Sequence, residues 1–372
     1  MKKVLFTATV DSHILCFHIP FLKLFKDMGY EVHVATNGNG EIPYCDKKIF
    51  IPFERSPYKL NNLKAIKKLK KVIMEEKYDI IHTHTPMGAV VTRLAAKKAR
   101  KKHHTRVIYT AHGFHFYKGA PLLNWMLFYP VEKYLSKYTD TLITINKEDY
   151  ERAKHKFSKR CKDIKYVPGV GIDKEKFSVR LDKNQKKELK KSLGLKENDF
   201  VLTYVARLDK NKNQGFLIKV MRKIVCNYPN IHLLLVGPDE LNGEYQKQAK
   251  DIISNVHFLG LRKDVPQLLN ITDISVSSSL REGLPVNILE AMTMGVPVVA
   301  IDTRGARDLV RNNVNGYLVE FNDIERYIKS IENIYVFSNK SERLGKESRH
   351  IVKGYFLEDV LNEMKKIYEQ VK

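Results

Sequence analysis

Two glutamates flank a glycine- and proline-containing turn in a spacing that suits a phosphorylated sugar ligand. Glu282 precedes the turn Gly283-Leu284-Pro285, and Glu290 lies two turns into a helix expected to begin near Val286. The first N–H groups of a helix have no intrahelical partner and carry partial positive charge, so they bind phosphate well. A carboxylate accepts two hydrogen bonds and can hold a pair of sugar hydroxyls. Taken singly, a glutamate at such a position is more often a solvated charge on a helix.

Two cations five residues apart follow a predicted strand. Arg207 and Lys212 belong to the segment Ala206-Arg207-Leu208-Asp209-Lys210-Asn211-Lys212-Asn213. Arginine presents a planar fork to phosphate and lysine a mobile point charge, so the pair can bracket a diphosphate. Such cations stabilise the charge that develops on a departing nucleoside diphosphate. The alternative is an exposed loop pair without a ligand.

Histidines end other predicted strands. His112 stands in Thr110-Ala111-His112-Gly113-Phe114-His115, where its ring can hydrogen-bond a substrate hydroxyl, although single histidines at such places are more often structural. His82 and His84 share a face of one strand because alternate strand residues do so. Two ligands do not make a zinc site and no third follows at a suitable spacing, so we expect no metal. The sequence also contains no Asp-x-Asp pair of the kind that holds a divalent ion on a diphosphate.

Charge is unevenly distributed along the 372 residues, which carry a net +23. Residues 1–200 contain 41 Lys and Arg against 21 Asp and Glu, a net +20, whereas residues 201–372 contain 24 against 21, a net +3. This asymmetry indicates that the first half faces an anionic partner: nucleic acid, acidic lipid headgroups or a phosphorylated substrate. The alternative is a set of solvated, lysine-rich faces.

Composition and length restrict the class of protein. An apolar content of 43% with 10% aromatic residues excludes a disordered chain. The four cysteines show no Cys-x-x-Cys spacing, which argues against a disulfide framework and structural zinc. The N-terminal apolar run is too short for a signal-peptide core, and no run approaches the roughly 20 apolar residues of a spanning helix. We therefore expect a cytoplasmic protein of two domains.

The elements that must position these residues alternate between strand and helix. Short Val- and Ile-rich runs without polar alternation suit strands buried on both faces, as in a parallel sheet. The alternation of strands and helices begins again after residues 170–195. This predicts two doubly wound α/β domains joined near Pro168-Gly169-Val170-Gly171. Predicted strands are Val4–Val10, Glu31–Ala35, Lys48–Phe53, Asp79–Thr83, Arg106–Thr110, Thr141–Ile145, Ile164–Val167, Phe200–Ala206, Ile231–Val236, Asn255–Leu259, Asp273–Ser278, Val296–Ile301 and Tyr317–Val319.

Three helices are predicted from the apolar pattern. Leu60–Glu76 places Leu63, Ile66, Leu69 and Ile73 on one face, residues 182–193 form a lysine-rich helix, and Tyr355–Val371 is amphipathic. Two doubly wound domains bind ligands in the crevice at the carboxyl ends of their strands.

At these motifs the chain resembles the retaining family-4 glycosyltransferases of the GT-B fold. Glu282 and Glu290 match the family's E-x7-E motif within the context E-G-x-P-x-x-x-x-E-A-M-x-x-G-x-P-V-V, and Arg207 to Lys212 is similar to its R-L-x-x-x-K clamp. Leu235-Val236-Gly237 and Phe258-Leu259-Gly260 are similar to two nucleotide-edge strands. Val167 to Phe177 is similar to the interdomain N-G-V-D-x-x-x-F segment, with glycine replacing asparagine.

The resemblance implies roles for individual residues. Glu282 would contact donor-sugar hydroxyls near O3, and Glu290 would contact ribose hydroxyls. His112 matches the histidine beside the donor sugar, so the expected catalytic set is His112, Glu282, Arg207 and Lys212. The expected nucleotide-sugar-binding residues, several of which act through their backbone, are Glu290, Gly283, Leu284, Pro285, Leu261, Arg262, Val265 and Gly237.

The loop after the first strand departs from the family pattern. Many members have a glycine-rich loop there, whereas this chain has Thr9-Val10-Asp11-Ser12-His13-Ile14. We expect Asp11, Ser12 and His13 to meet the acceptor in this loop, with Asp11 as a candidate base. His115 is a further candidate for acceptor contact.

A basic and aromatic surface is expected in the first half. The stretches Lys64–Lys71 and Lys97–Lys102 accompany an apolar patch made of Leu122, Leu123, Trp125, Phe128 and Tyr129. This combination suits docking on anionic headgroups, to which each basic residue near the surface contributes about 1 kcal/mol. The alternative is that the aromatic residues are core and the lysines are solvated.

The resemblance therefore implies a GT-B enzyme with two facing Rossmann-like domains and a cleft between them. Residues 1–172 would bind the acceptor, residues 173–354 the nucleotide sugar, and the helix in 355–372 would pack back on the first domain. We expect a retaining, metal-independent transferase that moves a hexose or N-acetylhexosamine from a UDP-linked donor to a polyprenyl-diphosphate-linked acceptor. It would act in exopolysaccharide, capsule or other surface-glycan assembly, peripherally at the inner face of the membrane, with no cofactor besides its donor substrate.

Two alternatives remain open. A GT-B-fold UDP-sugar 2-epimerase would need acid and base groups around the sugar and no acceptor. A basic nucleic-acid-binding protein is allowed by the net charge, although the aromatic and basic residues form no recognisable RNA-binding motif.

Overall fold

The computed structural model describes residues 1–161 and 163–370. These residues form two compact units: Met1–Gly171 together with the C-terminal segment that begins at Glu358, and Ile172–Leu357. Each unit contains one parallel β-sheet with helices in the connections between its strands.

The first unit contains seven strands and most of its helices lie between them. The strands are β1 (Lys3–Val10), β2 (Glu31–Asn37), β3 (Lys47–Phe50), β4 (Ile80–Thr83), β5 (Arg106–Ala111), β6 (Thr141–Thr144) and β7 (Asp163–Tyr166). The helices are α1 (Asp11–Phe17), α2 (Ile19–Asp27), α3 (Asn61–Glu76), α4 (Pro86–Ala95), α5 (Lys97–Lys102), α6 (Leu122–Leu135) and α7 (Lys147–Phe157). A 3₁₀ turn, Ser136–Tyr138, follows α6.

The second unit repeats the alternation with six strands. These are β8 (Phe200–Val205), β9 (Ile231–Val236), β10 (Val256–Gly260), β11 (Ile274–Ser277), β12 (Val298–Ile301) and β13 (Gly316–Val319). The remaining helices are α8 (Lys183–Ser192), α9 (Gln214–Ile224), α10 (Glu244–Gln248), α11 (Val265–Asn270), α12 (Val286–Met294), α13 (Arg304–Leu309), α14 (Ile324–Tyr335), α15 (Ser338–Ile351) and α16 (Leu357–Glu369). Short 3₁₀ turns cover Lys250–Ile252 and Val352–Tyr355.

Both sheets are doubly wound. Their strand orders are β3-β2-β1-β4-β5-β6-β7 and β10-β9-β8-β11-β12-β13, and every pairing is parallel. The direction of winding reverses between β1 and β4 and again between β8 and β11. In doubly wound sheets, ligands bind at the carboxyl ends of the strands beside such a reversal.

The last helix belongs to the core of the first unit. Val360, Met364 and Ile367 pack in the same cluster as Phe6 and other residues of the first sheet. Tyr368 is fully buried, and its hydroxyl forms a 2.9 Å hydrogen bond with His82 Nδ1. The second unit is therefore inserted, in sequence, between two parts of the first.

The doubly wound α/β fold and the return of the last helix confirm the sequence prediction. Each predicted strand is present, with ends displaced by no more than a few residues. Two local predictions were wrong. The residues expected to form a loop after β1 begin a helix at Asp11. In α3, Leu63 is 63% exposed while Asn62 is buried, because the Asn62 amide bonds the backbone of Glu54 and Ser56.

No helix among the described residues is both long enough and apolar enough to span a bilayer.

Candidate functional site

Lys212 and Glu282 meet at the winding reversal of the second unit. They lie on the loops that follow β8 and β11, which are neighbouring strands. Lys212 Nζ donates to Glu282 Oε1 at 2.6 Å, and the two side chains are only 20% and 11% exposed. The Lys212 backbone N–H donates to Asp209 Oδ1 at 2.8 Å, which fixes the turn that carries the lysine. Two residues 70 positions apart in the sequence thus form one cation–carboxylate pair.

Hydrogen bonds join the two loops that carry this pair. The Tyr204 hydroxyl, buried at the end of β8, bonds Ser279 Oγ at 2.6 Å. Ser278 Oγ donates to the carbonyl of Lys212 at 2.8 Å, and the Leu280 N–H donates to the carbonyl of Asn211 at 2.8 Å. The position of Lys212 relative to Glu282 is therefore held by the backbone as well as by the ion pair.

Arg207 lies at the start of the same loop and is half exposed. Its guanidinium pairs with Glu240 Oε1 at 2.7 Å and with Asp209 Oδ2 at 3.3 Å. Exposed pairs of this kind contribute little stability and exchange readily, so Arg207 can release Glu240 for an anionic ligand. Gly237, after β9, permits the close approach of its backbone to that of Ala206, just before Arg207. Its φ is +152°, and a Cβ there would lie 2.1 Å from the Ala206 carbonyl oxygen.

Helix α13 supports the turn that follows Glu282. Arg304 is 5% exposed and donates from Nε to the carbonyl of Glu282 at 3.1 Å. A Cβ at Gly305 would lie 2.4 Å from the Gly283 carbonyl oxygen and 2.9 Å from Pro285 Cδ. Sequence reasoning missed Arg304, and the only available signal was its place just after β12 at the same edge of the sheet.

The other residues of the turn are enclosed. Leu284 and Pro285 are buried. Their side chains are therefore not available to a ligand, and the backbone role that the resemblance implies for this segment stays a prediction.

Glu290 differs electrostatically from Glu282. Its carboxyl forms no hydrogen bond or ion pair with any other described residue, and burial raises its pKa to about 7 against a smaller lowering by the charge of Lys176. A buried carboxylate without donors is unfavourable, so a ligand that supplies hydroxyl donors would be stabilised there.

The predicted base-binding residues lie after β10. Leu261 is 76% exposed, and Val265 begins α11. The Arg262 guanidinium forms two hydrogen bonds with Asp264, at 2.8 and 2.6 Å. The Gly237 N–H donates to the carbonyl of Gly260 at 2.8 Å, which keeps the ends of β9 and β10 together.

In the first unit, His112 follows β5 and meets two other histidines. Its Nε2 lies 3.3 Å from Nδ1 of His84, which follows β4, and its ring is perpendicular to that of His13 at 4.7 Å. Burial, together with the neighbouring His13 and His82, lowers the pKa of His112 well below the usual value. The rings are therefore neutral at pH 7. The structure brings together His13 and His112, which the sequence could not connect.

Asp11 is held by three partners. Its carboxylate bonds Thr36 Oγ1 and Lys48 Nζ and accepts from the Gly40 N–H at 2.9 Å. Burial raises the pKa of Asp11, but these hydrogen bonds and the Lys48 charge outweigh it, and the pKa is lowered overall. A Cβ on Gly38 would lie 2.2 Å from Asp11 Oδ2. The glycine-containing loop after β2, which sequence reasoning did not use, therefore encloses this carboxylate.

The remaining predicted acceptor residues have different surroundings. Ser12 is exposed on α1. The His115 ring stacks on Phe128 of α6, with centroids 4.5 Å apart.

Helix α6 has one packed and one exposed face. Trp125, Phe128 and Tyr129 pack against the buried cluster around Phe116 and Phe157. The exposed residues are instead aliphatic for the most part: Leu122, Leu123, Met126, Leu127, Val131 and Tyr134. Of the predicted apolar patch, Leu122 and Leu123 are exposed, whereas Trp125, Phe128 and Tyr129 are half-buried because they pack against this cluster. The exposed face of α6 is therefore more aliphatic than the sequence predicted.

Comparison with known proteins agrees with this architecture. The crystal structure of HepE from Anabaena in complex with UDP and glucose superimposes with a TM-score of 0.79 and 21% identity, covering 99% of this chain and 100% of that one. Two doubly wound parallel sheets in one chain, with this likeness, define the GT-B class of glycosyltransferase folds.

The sequence comparisons identify the family. A model described as "Glycosyl transferases group 1" matches residues 185–351, and one described as "Glycosyl transferase 4-like" matches residues 3–146. The protein named as glycosyltransferase EpsD in Bacillus subtilis (strain 168) is 43% identical over 99% of this chain and 96% of its own length. The UDP-Gal:alpha-D-GlcNAc-diphosphoundecaprenol alpha-1,3-galactosyltransferase of Escherichia coli is 30% identical over 93% and 90%. The chain belongs to the group 1 glycosyltransferases.

Proposed function

We propose that this chain is a retaining, metal-independent transferase that moves a hexose or N-acetylhexosamine from a UDP-sugar to a polyprenyl-diphosphate-linked sugar. The Lys212–Glu282 pair at the winding reversal of the second unit carries the proposal. It places a cation suited to phosphate beside a carboxylate suited to sugar hydroxyls. The names of two relatives support the substrates, since one was solved with UDP and glucose and the other is named for UDP-Gal and a diphosphoundecaprenol acceptor.

The second unit would hold the donor. Arg207 and Lys212 exchange Glu240 and Glu282 for the diphosphate, while the N-terminal turn of α12 contributes backbone N–H groups. Glu282, released from Lys212, accepts hydrogen bonds from the sugar. Glu290 accepts them from the ribose, and the segments after β9 and β10, with Gly237, Leu261, Arg262 and Val265, would contact the base through their backbone.

The protein would promote the transfer step mainly by stabilising charge. The bond between the anomeric carbon and the phosphate oxygen breaks, and the UDP leaving group takes the electron pair. The acceptor hydroxyl forms the new bond on the same face and passes its proton to the departing phosphate oxygen. Lys212 and Arg207 stabilise the charge on that phosphate in place of a divalent ion. His112 would hydrogen-bond a hydroxyl of the donor sugar.

The first unit would hold the acceptor, with Ser12, His13 and His115 as its candidate contacts. Asp11 suits an anchoring role better than that of a base, since Lys48 and Thr36 occupy its oxygens and its pKa is lowered. An effective base requires a pKa nearer the working pH.

A membrane surface would bring the acceptor to this unit. The exposed side chains of α6 form an apolar strip, and Lys97 and Lys137 lie over the rings of Tyr134 and Tyr138 beside it. Aliphatic residues flanked by lysines suit peripheral docking on acidic lipid at the inner face of the membrane. Such a location fits exopolysaccharide, capsule or other surface-glycan assembly.

A transfer assay tests the function directly. The full chain is incubated with a panel of UDP-sugars and synthetic polyprenyl-diphosphate N-acetylglucosamine in EDTA, and products are followed by mass spectrometry and proton NMR. An α-linked disaccharide lipid formed from an α-linked donor supports the proposal. A β-linked product overturns retention, a 2-epimer formed without acceptor supports the epimerase, and a requirement for added metal overturns metal independence.

A further inference from the structure

Four histidines converge at the carboxyl edge of the first sheet. His13 lies in α1, His18 between α1 and α2, His84 after β4 and His112 after β5. One ring nitrogen of each lies within 4.8 Å of the corresponding nitrogen of every other. The chain brings them together because β1, β4 and β5 are consecutive strands of the sheet, although they are widely separated in sequence.

Two of the six distances between these nitrogens match those between the ligands of one small ion. His18 Nε2 lies 3.3 Å from His13 Nε2, and His84 Nδ1 lies 3.3 Å from His112 Nε2. In tetrahedral Zn²⁺ coordination with Zn–N of about 2.0–2.1 Å, neighbouring nitrogens are about 3.3–3.4 Å apart. Two opposite edges of such a tetrahedron therefore already have the right length. The other four nitrogen–nitrogen distances need to shorten by up to about 1.5 Å.

The four nitrogens bond one another in two pairs in the absence of an ion, but His84 is not satisfied as a structural histidine is. His82, next to it, uses both ring nitrogens, bonding Thr110 Oγ1 at 2.8 Å and the Tyr368 hydroxyl at 2.9 Å. His84 is fully buried, yet its Nε2 has no hydrogen-bond partner among the described residues. A buried ring nitrogen without a partner is costly, so hydrogen bonding alone does not account for the buried position of His84.

The cluster can be reached from one side. His18 and His84 are buried while His13 and His112 are partly exposed, which leaves an approach from one side.

We propose that His13, His18, His84 and His112 form a binding site for a late first-row divalent transition-metal ion, with Zn²⁺ the best fit to four imidazoles in a tetrahedral arrangement. Imidazole nitrogens suit Zn²⁺, Cu²⁺ and Ni²⁺ and do not suit Mg²⁺ or Ca²⁺. The sequence analysis considered only His82 and His84 as metal ligands; the structure places His84 in this cluster, while His82 bonds Thr110 and Tyr368.

The site bears on activity if the proposed function holds. An ion bound there engages His112, which would hydrogen-bond the donor sugar. Zn²⁺ would then inhibit transfer without taking part in it. This consequence rests on the proposed function, whereas metal binding itself does not.

Metal titration of the full chain tests the site. The protein is stripped with EDTA, exchanged into chelator-free buffer, and titrated with Co²⁺ and then with Zn²⁺. We expect the intense visible absorption of tetrahedral Co²⁺ to saturate at one ion per chain and to disappear on addition of Zn²⁺. Equilibrium dialysis gives the Zn²⁺ affinity, and Mg²⁺ serves as the ion that should not compete.

Three variants localise the ion. His13→Gln, at the partly exposed side, and His84→Gln, at the buried side, should each weaken Zn²⁺ binding by about 100-fold or more, since even outer-shell changes cost 10- to 100-fold. His155→Gln, an exposed histidine of α7, is the matched control and should bind as the wild type does. Thermal unfolding in EDTA establishes that each variant is folded. If His84→Gln does not fold, His13→Gln alone tests the site.

The outcomes separate the two proposals. Absence of stoichiometric binding, an octahedral Co²⁺ spectrum, or equal affinity in His13→Gln and the wild type overturns the site. Sugar transfer by a chain that binds no Zn²⁺ overturns the site alone. Zn²⁺ binding by a chain that transfers no sugar keeps the site and refutes the function.

Discussion

Lys212 Nζ and Glu282 Oε1 are 2.6 Å apart at the point where the winding of the second sheet reverses. The pair joins the loops after two neighbouring strands and is largely shielded from solvent. A ligand that enters must separate it, so the cation and the carboxylate become available together. The coupling of these two residues underlies the first prediction.

Lys212→Ala should lower kcat/KM for transfer by about 10²–10³, the cost of losing one group that stabilises developing charge. Glu282→Gln should lower it as well, because the amide cannot accept hydrogen bonds as a carboxylate does. Steady-state kinetics with the UDP-sugar that the panel identifies provides the measurement. Lys210→Ala, an exposed lysine of the same loop, is the control. Wild-type rates in Lys212→Ala would remove the lysine from catalysis.

The pKa of Glu290 predicts a proton linkage to nucleotide binding. Its carboxyl has a pKa of about 7 in the free protein, and hydrogen bonds from ribose hydroxyls to the ionised form would lower that value. Binding of UDP should therefore release protons near pH 6–7, and affinity should rise with pH until Glu290 is ionised in the free protein. Calorimetry in two buffers of different ionisation enthalpy measures the release. Glu290→Gln should release only the protons that come from the phosphate of UDP. Equal proton release by Glu290→Gln and the wild type would contradict the prediction.

The same carboxyl predicts a loss of stability as the pH rises. The pKa of Glu290 is about 7 in the folded protein and near the ordinary value of 4.5 when unfolded, so the folded state binds more protons between these values. Stability is then lost as pH rises from 4.5 through 7, by up to about 3 kcal/mol at about 1.4 kcal/mol per unit. Glu290→Gln should unfold at higher urea than the wild type at pH 8. The difference should shrink towards pH 5, and a pH-independent difference would exclude this cause.

A buried ion pair anchors α6. Arg93 of α4 forms two hydrogen bonds with Glu132 of α6, at 2.8 and 3.1 Å, and its guanidinium lies 4.3 Å from the Tyr109 ring centroid. Arg93→Met leaves Glu132 buried without its partner and should cost about 3–5 kcal/mol in urea unfolding. Adding Glu132→Leu should recover much of the loss. Lys346→Ala, at an exposed pair, should leave the midpoint unchanged. If the double variant is no more stable than Arg93→Met, the loss does not arise from the unpaired carboxylate.

The exposed strip of α6 predicts membrane binding. Serine substitution of Leu122, Leu123 and Met126 together should abolish co-flotation with liposomes rich in acidic lipid, because these side chains are 62–74% exposed. Phe321→Ser, in the second unit, is the control for loss of an exposed apolar residue. High salt should weaken the interaction of the wild type. Flotation of the triple variant at the wild-type level would assign binding to another surface.

Much of the fold and part of the site followed from the sequence. Strand-length apolar runs alternating with amphipathic helices are local signals, so all thirteen strands and the two doubly wound sheets were predictable. Glu282, Arg207 and Lys212 were singled out by residue type, spacing and family motifs, and the structure places them on loops that follow β8 and β11, two neighbouring parallel strands. Arg304 carried no comparable signal, since its role depends on α13 packing against another loop.

Other features depended on packing that no local pattern records. The exposed face of α6 was misjudged because the helix is apolar nearly all round, and only the neighbouring core shows which side is covered. The raised pKa of Glu290 comes from burial, a property of the folded surroundings and not of the residue. The lowered pKa of Asp11 comes from Lys48 and Gly40, which reach it from a different strand and loop.

The sequence by itself determined which elements form and which residue types end each strand, because hydrophobic period, glycine, proline and helix-initiating residues act over a few positions. Only the tertiary structure decided which strand ends become neighbours. The order β1-β4-β5 brings His13, His84 and His112 together, and the order β8-β11 joins Lys212 to Glu282. Chemistry at these sites needs atoms within about 3 Å of one another, and that distance is set by the order of strands in a sheet and not by separation along the chain.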